Sequence, residues 1–296
     1  MARMPRTLSF VCAGRYRDSG STYLRAFQLA ELAAQRLGEV HVRELAELNE
    51  TAGEEVLIFN KSCLRQEFRS RVLERLPALR RRAVCLADPV DLPVADELLD
   101  RFDGVIASSF GQAEHFASRP AKPVFLIHHH VDARLVGGAK PQQWGGARIG
   151  YFGELVNTWH VDRLCDMVDF FSVDTTNALH IPWAQHLPFY NVHYCLRRTR
   201  PIDGFKPASK LFVAAAFGAP VVVEKHNDEA RRLLPRDYPY YAESTEPDEV
   251  RALLGRVVAG FGTDEWRYAV DSMAAIDCYR QERVLDQVEE MMREVA

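Results

Sequence analysis

Short apolar runs rich in β-branched residues alternate with segments of helical period along most of the chain, and this alternation leaves few folds open. In the first half the runs fall at 7–12, 40–43, 55–59, 83–86, 104–107 and 123–127. After the first comes a polar, glycine-containing turn over 13–21. Tyr23, Phe27, Ala30, Ala34 and Leu37 then share one helical face, with Ser21 placed to cap the start and Gly38 to end it. Strand, turn, helix, strand is the opening of a βαβ unit, and its repetition predicts a parallel sheet wrapped by helices.

The alternation is interrupted once and then begins again. Residues 136–147, VGGAKPQQWGGA, hold four glycines and one proline without hydrophobic period, which predicts a linker. Strand-like runs return at 148–153, 169–173, 190–194 and 220–224, and from Pro247 onward the sequence is helical. The reading is an α/β chain of two Rossmann-like lobes facing one cleft, the first over 1–137 and the second over 138–275. A last helix over 276–296, with an apolar stripe through Val284, Val288 and Met292, is expected to return and brace the first lobe. At 296 residues and 47% hydrophobic content the chain can bury two cores of ordinary size.

Composition removes several classes of function. A formal charge of −4 provides no global field for gathering nucleic acid. The six cysteines are scattered, without a CxxC pair, and read as reduced thiols rather than as a zinc site or disulfide framework. The apolar run near the N-terminus is too short for a signal peptide, so a cytoplasmic protein is expected, at most peripheral on the inner face of a membrane.

The strongest local signal lies at 205–223, FKPASKLFVAAAFGAPVVV, which reads as a loop, a helix starting near Pro207, a stop at Gly218 and a buried strand. A helix that opens this way turns unpaired N–H groups and a positive dipole end toward the crevice above the sheet, where a diphosphate fits. Lys206, Ser209 and Lys210 would add charge and a hydroxyl donor. Solvated lysines on a surface helix are the competing reading.

Here the chain resembles the GT-B glycosyltransferases, whose second lobe carries a KPxxKLxxAxxxGxPVV segment with a helix N-terminus on the donor diphosphate. Lys206, Pro207, Lys210, Leu211, Ala214, Gly218, Pro220 and Val221 stand in that register. Ile149-Gly-Tyr-Phe-Gly153, followed by Trp159 and Asp162, resembles the GYFG…W…D opening of the same lobe and puts Gly153 beside the donor. Ser19, Gly20 and Ser21 with Arg25 resemble the first loop facing the acceptor, and His130-Val131-Asp132 resembles the end of an NGVD segment. The resemblance implies transfer of a sugar from a nucleoside-diphosphate sugar to a hydroxyl acceptor in cell-envelope polysaccharide, glycolipid or glycoprotein assembly. It departs where many retaining members carry two glutamates eight positions apart, since Phe205 and Val213 stand there. The interval from Gly153 to Lys206 is also short, which predicts loss of one strand–helix unit.

Other candidates follow from their places in this frame. Arg197 and Arg198 are expected near the leaving diphosphate, against the reading of an exposed pair. Glu229 resembles the acid that holds a donor hydroxyl, against a helix N-terminal acid. Asp88, directly after a strand, is the candidate base for the acceptor, against a cap on the Pro89 turn. His128, His129 and His130 lack a spaced acidic partner and read as cleft-lining at most, so neither a metal nor a cofactor beyond the sugar nucleotide is expected. Between Leu64 and Arg82, seven arginines (Arg65, Arg69, Arg71, Arg75, Arg80, Arg81, Arg82) form either a solvated face or a peripheral contact with anionic headgroups. A sugar-nucleotide epimerase of the same architecture and a non-catalytic GT-B-like binding subunit stand as rivals.

Overall fold

The computed structural model describes residues 7–48, 55–118, 122–136, 145–177, 179–198 and 205–295. Two parallel sheets organise them. The first comprises β1 (Thr7–Cys12), β2 (Glu39–Glu44), β3 (Glu55–Asn60), β4 (Ala83–Asp88), β5 (Gly104–Ala107) and β6 (Val124–Leu126), in the order β2-β1-β3-β4-β5-β6. The second comprises β7 (Ile149–Gly153), β8 (Val168–Ser172), β9 (Val192–Tyr194), β10 (Val221–Glu224) and β11 (Tyr241–Ala242), in the order β11-β10-β9-β7-β8. Every strand pair is parallel.

Both sheets are wound the same way, and this decides where a ligand can sit. Strand order reverses beside β1 in the first sheet and beside β7 in the second. Helices diverge to opposite faces at such a switch point, leaving a crevice past the carboxyl ends of the strands.

Sheets covered on both faces need strands that are apolar throughout, which is why β3 and β7 read as continuous hydrophobic runs and are buried along their whole length. Alternate residues of β3 then enter different cores. Val56 and Ile58 join Leu8, Phe10 and Leu29 on one face, while Leu57 and Phe59 join Val72, Leu76 and Phe102 on the other. The returning helix, Gln281–Glu294, places Val284, Val288, Met291 and Met292 in the first of these cores, bracing the first sheet as expected.

Several boundaries differ from the sequence reading. The first long helical stretch opens at Gly20 rather than after Ser21, and Ser19 occupies the N-cap position with its hydroxyl turned to the Tyr16 carbonyl. That stretch is π-helical over Tyr23–Gln28 before it becomes regular over Leu29–Ala33. The connection from β8 to β9 is a 3₁₀ segment, Pro182–Phe189, and β8 is a sheet edge, in keeping with a shortened second lobe. The helix expected near Pro207 runs Ser209–Ala216 and ends as read at Gly218, whose φ of +65° suits a residue without Cβ. Most of the linker reading falls on 137–144, outside the described residues. No helix among the described residues is long and apolar enough to cross a membrane.

Candidate functional site

A cleft of about 770 Å³ lies between the two sheets and is lined from both. Its second-sheet wall is built on the ends of β7 and β9, where the topology predicts a ligand.

Lys210 is the centre of that wall. The helix Ser209–Ala216 begins at the cleft, with Pro207, Ala208, Ser209 and Lys210 all on its surface. Its first-turn N–H groups lie at the end of the helix that faces the cleft, where the dipole is positive. The Lys210 ammonium sits 4.0 Å from the centroid of the Tyr151 ring and is in no ion pair among the described residues, although the Glu154 and Glu224 carboxylates are near enough to favour its charge. Burial, with Arg197 adding to it, lowers its pKa to about 8. Gly153 makes this approach possible, because a Cβ there would fall 2.7 Å from the Tyr151 hydroxyl and still closer to the Lys210 ammonium. A side chain at this glycine of the GYFG match would thus displace the Lys210 ammonium from its place over the ring.

The loops after β7 and β9 are tied together beneath this point. The Thr158 hydroxyl donates to the Leu196 carbonyl at 2.7 Å, and the Trp159 indole donates to the Arg197 carbonyl at 2.7 Å. The Arg197 amide donates to Glu224, whose other carboxylate oxygen is buried without a hydrogen-bond partner. Burial raises the Glu224 pKa. Phe152, Trp183 and His193 add an aromatic section of the wall, with the Trp183 Nε1 and His193 Nε2 atoms buried and unpartnered. Of these, Glu224, Trp183 and His193 carried no sequence signal, since each reads as an ordinary strand-end or loop residue.

Most of the expected donor residues come together. Gly153, Arg197, Lys206, Ser209, Lys210 and Glu229 all line the cleft, and so do Ser19, Gly20 and Ser21 opposite them. Three expectations are corrected. Arg198 turns away and lies over Trp159, 5.3 Å from its centroid, because β9's exit alternates the side chains of 197 and 198. Arg25 does not face the acceptor side. It is fully buried, donating from Nε to Asp88 at 2.8 Å and from Nη1 to the carbonyls of Ile127 and His128. Asp88 is correspondingly unavailable as a base, for its carboxylate is wholly excluded from water and committed to Arg25.

Glu229 is on the cleft wall, but its carboxylate serves the other lobe. It accepts from the Gly111 amide at 2.6 Å and the Phe110 amide at 3.3 Å, at the start of the helix Phe110–Ala117. Arg232 meets Glu114 on the same helix through two 2.6 Å hydrogen bonds, and the Ser109 hydroxyl donates to the Phe205 carbonyl. These contacts clasp one lobe to the other at the cleft edge.

The histidine run divides. His128 is held by Gln287 of the returning helix, whereas His129 and His130 line the cleft. Burial lowers the His129 pKa to about 3 and holds that of His130 well below the usual imidazole value, so both are neutral imidazoles, and neither His130 ring nitrogen has a partner. Among the described residues no group of three or more His, Cys, Asp or Glu is arranged to hold a metal ion.

Two parallel-sheet lobes, a cleft between their carboxyl ends and a terminal helix returning to the first lobe define the GT-B fold. Solved structures agree with this. A glycosyltransferase from Rickettsia africae superposes over 98% of each chain with a TM-score of 0.65 at 9% identity. HepE (Alr3699) of Anabaena, in complex with UDP-glucose, is similar over 99% of this chain and 100% of its own, with a TM-score of 0.61 at 15% identity. An α-glucosyltransferase in complex with UDP and DNA gives 0.63 at 10% identity, over 99% and 100%. No protein-family model and no curated protein sequence matches the chain.

Proposed function

We propose that this chain is a glycosyltransferase that takes its sugar from a nucleoside-diphosphate sugar, with UDP as the nucleotide. The observation that carries the reading is Lys210, an ammonium at a helix start and over the switch point, with an aromatic ring beneath it and, among the described residues, no carboxylate in ion-pair contact with it. A diphosphate supplies the missing negative charge, and its oxygens accept from the first-turn N–H groups. UDP is chosen because HepE and the α-glucosyltransferase of the same fold are complexes with it.

The chemistry then divides between the walls. As the glycosidic bond to the diphosphate breaks, charge accumulates on the leaving oxygens beside Lys210, Arg197 and the helix start. The acceptor hydroxyl enters from the opposite wall, where Asp91, His129 and His130, unlike Asp88, are among the polar groups that line the cleft. The clasp at Glu229 and Arg232 holds the walls together and limits water, which would otherwise take the sugar. The acceptor implied by the resemblance is a hydroxyl of an envelope polysaccharide, glycolipid or glycoprotein.

A thermal-shift titration with UDP tests this. At a hundred times its dissociation constant UDP stabilises the native state by about 2.7 kcal/mol. Lys210→Ala is expected to weaken UDP about ten- to a hundredfold, the range for a hydrogen bond to a charged group. No shift with any nucleoside diphosphate, or an unchanged affinity in Lys210→Ala, rejects the reading.

A further inference from the structure

The wall opposite Lys210 carries positive charge that the donor does not use. Arg15, Lys61, Arg65 and Arg134 line it, and their acidic partners are few. Lys61 is bonded to Asp91, which also lies 3.9 Å from Lys206 across the cleft. Arg134 is bonded to Asp132, with its Nε at 2.9 Å. This leaves Arg15 and Arg65. Their guanidinium carbons lie 5.7 and 4.3 Å from the centroid of one ring, Tyr16, and among the described residues neither is in an ion pair. Glu67 accepts from the Tyr16 hydroxyl and attracts both guanidinium groups, but it lies outside the cleft lining.

The Tyr16 ring and the single carboxylate of Glu67 gather two guanidinium charges, which leaves a positive balance on the cleft wall. The arrangement does suit an anion. A ring face orients a guanidinium and leaves its N–H edge free, and that edge matches the two oxygens of a carboxylate or phosphate. The remaining arginines of the 64–82 stretch behave differently. Arg75 donates to the Leu45 and Leu48 carbonyls, Arg80 pairs with Asp103, Arg69 is half-buried outside the cleft lining, and Arg71, Arg81 and Arg82 are exposed away from it. Arg65 alone of the seven lines the cleft.

We infer that the acceptor is anionic, bearing a phosphate or carboxylate that docks on Arg15 and Arg65 while its hydroxyl faces the donor. This rests on the glycosyltransferase reading and specifies the acceptor for it. The test compares glucose 6-phosphate, glucuronate and glucose by titration calorimetry, with and without saturating UDP. The charged sugars are expected to bind at least about tenfold more tightly than glucose, as bidentate charge-assisted contacts give. In the Arg15→Ala/Arg65→Ala variant that advantage disappears while UDP affinity and the melting temperature stay near those of the parent. A parallel arm measures sedimentation with phosphatidylcholine vesicles with and without phosphatidate. Retention on phosphatidate that the double variant loses assigns the anion to a lipid headgroup, and binding of the soluble sugars alone assigns it to a soluble acceptor. Equal binding of charged and neutral sugars with no vesicle retention, or an advantage that survives the double substitution, overturns the inference. Failure of UDP to bind defeats the donor reading instead, and the sugar series without UDP still decides this one.

Discussion

At the scale of single residues, the same chemical type does opposite things according to its access to water. Arg25 and Asp88 face each other in the dry core of the first lobe, where burial raises the Asp88 pKa and Arg25 opposes that shift. Removing one partner leaves an uncompensated charge, so Arg25→Leu should cost about 3–5 kcal/mol in urea unfolding, and Arg25→Leu/Asp88→Leu should recover much of it. Retained UDP affinity in the double variant would show that the pair is structural. Lys210 is held at the cleft with a pKa near 8, depressed from 10.5. Between those values the unfolded chain binds more protons, so its contribution to stability is unfavourable below about pH 8 and is relieved as pH rises toward 10.5. A bound diphosphate reverses the sign by favouring the charged form. UDP affinity should therefore fall as pH rises through about 8, and calorimetry across that range should show no such step in Lys210→Ala.

At the scale of elements, the returning helix Gln281–Glu294 shows how a terminal segment becomes indispensable. Its apolar stripe fills a core shared with β1, β3, β4, β5, β6 and the helix Leu29–Ala33, and Gln287 bonds both the backbone and the ring of His128. Met291 is 1% exposed, and Met291→Ala should lower stability by about 2–5 kcal/mol in chemical denaturation, whereas the same change at an exposed position of this helix costs under about 0.5 kcal/mol. The stripe was legible from Val284, Val288 and Met292 because a period of 3.6 survives in any context. β11 was not, since two residues carry no period.

At the scale of the whole molecule, Glu229, Arg232 and Ser109 link lobes whose relative position sets the cleft width. Glu229→Ala removes the acceptor of two amides at the Phe110–Ala117 helix start and should weaken closure by about 1.5–3 kcal/mol, the scale of hydrogen bonds to a charged group. A larger radius of gyration by small-angle scattering is the expected result, reversed in part by UDP. An unchanged scattering curve in Glu229→Ala/Arg232→Ala would show that packing alone holds the lobes.

Local pattern alone set the two βα series, the helix after Pro207 with its stop at Gly218, and the gathering of Gly153, Ser209 and Lys210. These depend on hydrophobic period, caps and local spacing, which act within a few residues. Only the tertiary structure decided that Asp88 and Arg25 neutralise each other out of reach of water, that Arg198 leaves the cleft while Glu229 bridges it, and that Arg15 and Arg65 meet on Tyr16. Those outcomes turn on burial and on contacts between residues far apart in the chain, and neither quantity is written in local pattern.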